Sequence, residues 1–307
     1  MEKAEGRNRT PIAEFILLGF GDVGELQPLL FPVFLLIYFV TVAGNLLIIA
    51  LIVAYRPLHT PISTILPRLL ASLLTGDRTI SVKGCLGQFY WFSIMATTEL
   101  LLLTAMSYDR YLAICHPLRY AVLMNGRVCA QLVAGSWISG ILLSTIGNIN
   151  IFMWQLTFCD SNEIDHFFCD ISPISKLTYD DTLILYLLAF IVAALWTLVP
   201  CLLTLASYVC IIIMILRIPS TTGRQKAFST CSSHLIVVTL YYGIVIAVYV
   251  VPTVNASNVL HKTFSIFYTV LTPMINPIIY CLRNKEVKDC LRKAVHKVVA
   301  LRNRLGI

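Results

Sequence analysis

Met106-Ser107-Tyr108-Asp109-Arg110-Tyr111-Leu112-Ala113-Ile114-Cys115-His116-Pro117-Leu118-Arg119-Tyr120 is the stretch from which the rest of the chain is read. It closes a long apolar run that begins after Cys85, and it opens a basic turn. Ionisable residues at the edge of a membrane helix are costly and start as functional hypotheses. The plain alternative is a pair of interfacial charges reaching out to lipid headgroups.

The composition sets the class. Of 307 residues, 58% are hydrophobic and 13% charged, and mean hydropathy is +0.80. A soluble domain carries about 25% charged residues, so this chain reads as a polytopic membrane protein. The net charge of +7 does not point to nucleic acid, because eight of its Lys and Arg residues lie from Arg283 onward. That is the pattern of a cytoplasmic tail beside a membrane. The polar N-terminus followed by an apolar run of spanning length argues against a cleavable signal peptide. Ten cysteines fit neither a dense disulfide scaffold nor a CxxC metal site. No nucleophile elbow, phosphate-cradling glycine loop or HExxH is present, so neither an enzyme nor a cofactor is expected. A transporter or channel is the rival from another class, and no pair of broken-helix repeats supports it.

Taken in order, residues 1–26 form a polar tail, read as extracellular, with Asn8-Arg9-Thr10 as a glycosylation sequon. Leu26 to Tyr55 is 30 residues without a charge, where about 20 suffice to span; Gly44-Asn45 lies inside it. Gly84 to Tyr108 is apolar except for Glu99 and forms the third span. No charge occurs between Arg127 and Asp160, which accommodates the fourth. Thr182–Leu216, Ala227–Val259 and Thr263–Leu282 supply the fifth to seventh. The bundle is expected over 27–284. Residues 285–307 are expected as an amphipathic helix and tail on the inner leaflet, because basic and apolar residues alternate there at helical spacing. The basic turns belong inside, and the acidic loop Ile151–Asp181, with Lys176 its one cation, belongs outside.

The opening string resembles the MAYDRYVAICHPLRY signature of odorant receptors, a branch of the rhodopsin-like G-protein-coupled receptors; Ser107 and Leu112 depart from it mildly. Lys226-Ala227-Phe228-Ser229-Thr230-Cys231-Ser232-Ser233-His234-Leu235 resembles the family's KAFSTCxSHL, and Pro273 to Asn284 resembles its PxxNPxxYxLRN. The resemblance implies an all-α, rhodopsin-like seven-helix bundle in the plasma membrane, binding a small volatile odorant and activating a stimulatory olfactory G protein that raises cyclic AMP. It assigns the switch to Asp109, Arg110, Tyr111, Tyr208, Asn276, Pro277 and Tyr280. For His234 an interhelical hydrogen bond is the expected role. It also implies a Cys85–Cys169 disulfide, and leaves Cys159 without its customary partner because position 179 is Tyr.

Ligand contacts are expected from Phe92, Ser93, Ala96 and Thr97 on the third span, and from Tyr242, Val245, Ile246 and Tyr249 on the sixth. Ordinary helix packing explains any one of these. As a set at the family's pocket positions they imply an apolar ligand with one polar group. The upper third span has no aspartate to pair with an amine.

One region departs from the family. Pro57-Leu58-His59-Thr60-Pro61 resembles its first cytoplasmic turn, LHTP, yet the family's MYFFL and LSFxD-like segments do not follow. What remains, Ile62 to Leu74, is 13 residues. At ~1.5 Å per residue it reaches about 20 Å against a hydrocarbon core of ~30 Å. The second span is therefore truncated, and Glu99 loses the carboxylate that faces it in the family. Six full spans would put the tail and Asn8 inside, against the charge rule. This yields an alternative function: a non-signalling family member, misfolded or retained in the endoplasmic reticulum.

Overall fold

The computed structural model of the chain describes residues 12–21, 27–53, 65–153, 162–170, 173–174, 177, 183–246, 248 and 258–271. The Asn8 sequon, Cys159, Tyr249, Asn276, Pro277, Tyr280 and the amphipathic segment after 285 lie outside these residues. In chain order the elements are β1 (Glu14–Leu17), α1 (Gln27–Val53), α2 (Ile65–Thr75), β2 (Thr79–Ser81) and α3 (Val82–Cys115). They continue with α4 (Pro117–Leu123), α5 (Gly126–Met153), β3 (Glu163–Ile164), α6 (Leu183–Leu216), α7 (Thr221–Val245) and α8 (Asn258–Ile266), which runs into a π-helical turn, Phe267–Leu271. Stretches of α1, α3, α5 and α6 are each long and apolar enough to cross a membrane, and α7 forms a fifth candidate bent by 47°. This is a helical membrane bundle, as the hydropathy requires, because a helix satisfies its backbone polar groups within the hydrocarbon.

Local chemistry sets the helix ends. Ser81 caps α3 by accepting from Gly84 N at 3.1 Å, and Ser220 caps α7 through Gly223 N at 3.2 Å. Asn125 Oδ1 accepts from both Arg127 N and Val128 N at 3.1 Å at the head of α5. Such side-chain oxygens satisfy amides that have no partner inside the helix. α2 stops at Gly76, whose φ of 72° is open to glycine at little cost.

α3 is the axis, with its most extensive contacts to α5 and α6. Contact with α5 depends on Gly140, where a Cβ would come within 2.1 Å of Thr98 Oγ1 and 3.2 Å of Thr98 N. Its neighbours on α5, Gly135 and Gly147, face open space.

The second span is short as described: α2 has 11 residues, about 16 Å at ~1.5 Å per residue. Its buried residues Ile65, Leu66, Leu69 and Leu70 form one face. They pack with Phe34 of α1, Phe167 and Phe168 of the loop after β3, and Val270. Partly buried Leu30, Phe31, Leu35 and Tyr38 join them, so α2 lies along the first half of α1.

A sheet of order β2-β1-β3 covers one end of the bundle. β1 runs antiparallel to β2, pairing Ile16 with Thr79, and parallel to β3, pairing Leu17 with Ile164. Phe15 and Leu17 point inward and are buried with Cys85, Phe89, Ile164 and Cys169. Cys85 and Cys169 are joined by a disulfide across 84 residues of sequence. The polar tail thus contains a strand, which the sequence reading lacked. β1 sits beside the start of α3, so the described tail residues share an end with the acidic loop. Glu99, expected to lose the carboxylate of the truncated span, is not left without an interaction partner, and neither is the buried Asn45.

Two outcomes are expected. Gly140→Val should lower stability by about 1–3 kcal/mol, the usual cost of overpacking a tight contact, read as a lower melting temperature of the detergent-solubilised protein. Gly135→Val should leave it unchanged. Cys85→Ala should cost about 2–5 kcal/mol, as loss of a native disulfide does, and should speed proteolysis within β1 and β2.

Candidate receptor site: an ion-pair turn beneath an aromatic core

α3 ends at His116 because Pro117 follows at the first position of α4. Proline has no N–H to give a preceding helix and suits a helix start. The His116 amide closes on Leu112 O at 2.9 Å, and the turn brings α4 back beside the last turns of α3. Arg110 Nε donates to Asp109 Oδ2 at 2.9 Å, with Nη2 at 2.7 Å from the same oxygen. Tyr120 Oη donates to Asp109 Oδ1 at 2.8 Å, so both carboxylate oxygens are engaged. Burial, then the bond to Asp109, pushes the Tyr120 hydroxyl up to about 12, so it remains a donor through the physiological range.

The Arg110 and Asp109 side chains are 36% and 17% exposed. Ion pairs near water contribute on the order of 0–1 kcal/mol, so this one holds a geometry yet is readily exchanged. The Arg110 charge also reaches Tyr208 on α6 and Cys231 and His234 on α7. The Tyr208 hydroxyl and His234 Nδ1 are hydrogen-bonded, joining α6 to α7, and their rings stack at 5.9 Å. Tyr111 instead stays at the turn, its hydroxyl 3.2 Å from His116 Nε2.

Above this turn lies a cluster formed by α3, α6, α7 and the π-helical turn. It brings together four of the expected ligand residues: Phe92, Ala96, Tyr242 and Val245. The Tyr242 hydroxyl meets Thr104 Oγ1 at 3.3 Å, and Thr204 Oγ1 donates to Thr104 at 3.5 Å. Phe92 lies edge-on to Phe168 at 5.3 Å and to Tyr268 at 5.5 Å. The acidic loop thus closes the outer side of the cluster.

The other expected ligand residues are placed differently. Ser93 bonds back to Phe89 O at 2.9 Å, and Thr97 accepts from Ser144 of α5 at 3.4 Å. Ile246 is 37% exposed, because the helical stripe is wider than the face turned inward.

Tyr241 was not among the expected residues, yet it is 1% exposed. It donates to Ala96 O at 2.8 Å, and its hydroxyl lies 3.4 Å from that of Tyr268. Glu99 is within electrostatic reach of both tyrosines, which supply polar surroundings that the truncated span does not. The visible signal was the Tyr241-Tyr242 pair, read only through its second member.

Comparison with known proteins accounts for this arrangement. The family model described as olfactory receptor matches residues 34–298. Olfactory receptor 10A5 of Homo sapiens is 46% identical, with 96% of this chain and 98% of the relative covered. Olfactory receptor 5AP2 of Mus musculus is 43% identical over 96% and 97%, and olfactory receptor 1G1 of Gorilla gorilla gorilla is 45% identical over 95% and 97%. The match to the first extends over 312 positions while taking up 96% of this chain, which has only 307 residues; positions of the relative therefore lie opposite gaps in this chain. The chain is a multi-pass membrane protein and belongs to the olfactory receptor family, whose members are signalling receptors rather than enzymes.

Proposed function

We propose that this receptor binds a small, mainly apolar volatile with one polar group and activates a stimulatory G protein, raising cyclic AMP from the plasma membrane. The observation that carries the reading is Arg110, held by Asp109 near the end of α3, with Tyr120 on the carboxylate's other oxygen and the Tyr208–His234 hydrogen bond joining α6 to α7. Separating α6 and α7 from α3 would open space beside the guanidinium, and exchange of its bond to Asp109 would release it to a partner on the cytoplasmic side. The weakness of the exposed pair makes that exchange accessible to ligand binding. Ligand specificity would come from the aromatic cluster, with Tyr242 and Thr104 as hydrogen-bonding groups and Phe92 and Val245 as apolar wall. The lipid bilayer is the other partner, covering the exposed apolar faces.

A second reading rests on α2. Between the Pro57–Pro61 turn and Leu74 the sequence leaves 13 residues for the second span, and each buried polar group left unsatisfied costs ~1–3 kcal/mol. Net stabilities of folded domains are about 5–15 kcal/mol, so a few such losses would cause retention in the endoplasmic reticulum. The described cap opposes this reading by holding α2 and the tail in place.

Two measurements separate these readings. In cells carrying the receptor with an N-terminal epitope tag, a cyclic AMP reporter should respond to a member of a panel of volatiles. Arg110→Ala at matched surface level should abolish the response; an undiminished response would rule out the switch role. Surface staining and glycosylation of Asn8 should be low under the retention reading and rise when a family-like segment is inserted after Pro61. Full staining of the unaltered chain would eliminate that reading.

A further inference from the structure

We propose that the cleft between the turn after β1 and the outer face of α2 binds a small organic carboxylate, at a site separate from the aromatic cluster of the bundle. Leu73 of α2 and Phe20 line the cleft, with the buried Leu69, one helical turn before Leu73, and Phe167 packed behind them. The Phe20 ring is stacked between Phe167 at 5.5 Å and Phe34 at 5.8 Å, so the apolar wall is backed by the packing that holds α2. Gly19 and Gly21 carry the chain over the opening with φ of 63° and 83°, conformations that glycine takes at little cost.

Two arginines line this apolar cleft. Arg68 donates to Thr79 O, and Arg78 Nη1 donates to Leu18 O at 3.4 Å. A guanidinium has five N–H donors, so both retain donors, and neither forms an ion pair among the described residues. The acid beside them is Asp77, whose charge reaches Arg68. Its Oδ1 accepts from Thr79 N at 2.9 Å and Thr79 Oγ1 at 2.7 Å. The cleft thus offers unused guanidinium hydrogen bonds above leucine and phenylalanine side chains. Guanidinium pairs with a carboxylate in a planar, two-pronged geometry, and the apolar wall suits a short hydrocarbon tail. A phospholipid headgroup presents a similar oxyanion, and the test separates the two.

The test uses the full-length receptor in nanodiscs of phosphatidylcholine, and in a second set containing phosphatidylglycerol, with a fluorinated hexanoate followed by fluorine NMR and the matching fluorinated hexanol as neutral control. Hexanoate should bind, and its affinity should fall tenfold or more in Arg68→Gln and in Arg78→Gln, the scale of a lost charge-assisted hydrogen bond. Arg78→Lys should retain part of the affinity, and Tyr242→Phe should leave it unchanged. Protection of Cys85 and Cys169 from alkylation certifies that each variant is folded. Equal hexanoate binding by wild type and both glutamine variants would overturn the proposal. So would absence of hexanoate binding together with arginine-dependent retention of phosphatidylglycerol, which would assign the cleft to lipid.

Discussion

The pinning of α3 at its outer end is the constraint on which the other elements depend. The Cys85–Cys169 bond ties the first turn of α3 to the acidic loop, and that loop supplies β3, which pairs with β1. β1 in turn holds β2, immediately before α3. The same loop lowers Phe168 against Phe92 and sets Phe167 and Phe168 against α2. One covalent link therefore organises the sheet, the closure of the aromatic cluster and the seat of the short second helix. At the opposite end α3 is held by the turn at Pro117, which places Tyr120 on Asp109. A helix fixed at the outside by a covalent bond and at the inside by exchangeable polar contacts is suited to moving its inner end alone.

The short α2 shows how a packed end compensates for lost length. A helix of about 16 Å, at ~1.5 Å per residue, cannot cross a hydrocarbon core of ~30 Å. Its apolar face nevertheless finds a full set of neighbours because they all lie at the capped end: the first half of α1, the two loop phenylalanines and Val270. Lys262 at the head of α8 pairs with Asp165 of the same loop, bringing α8 to this end as well. The anchoring is local, so residues missing from the inner side of the span need not undo it.

Hydropathy and three short strings made the bundle legible before any coordinates. Charge-free runs of spanning length have one regular solution in hydrocarbon, and the Asp109-Arg110 string named its own chemistry. The cap was not legible, because β1 is four residues in a polar tail, and its partners are far along the chain. Strand pairing of that kind leaves no periodic trace. Within the candidate ligand site the i, i+3, i+4 rule gave the inward face of α7 at Tyr242 and Val245 but carried Ile246 along with it. Helical spacing resolves a stripe more coarsely than a contact. Tyr241 was passed over for the same reason, and Tyr120 because its role depends on a turn whose angle is set in three dimensions.

The account stands on the described N-terminal strand lying with β2 on the outer side of the membrane. Ile16 and Thr79 face each other across β1 and β2. They are a pair without mutual backbone hydrogen bonds, where opposing Cα atoms approach to about 4.5 Å, within the range a disulfide bridges. The most direct measurement is therefore the thiol state of an Ile16→Cys, Thr79→Cys double variant in intact cells. The expected result is a spontaneous disulfide formed during synthesis, resistant to alkylation until reduced. Two free thiols that react only after the plasma membrane is opened would place the tail inside and contradict the arrangement.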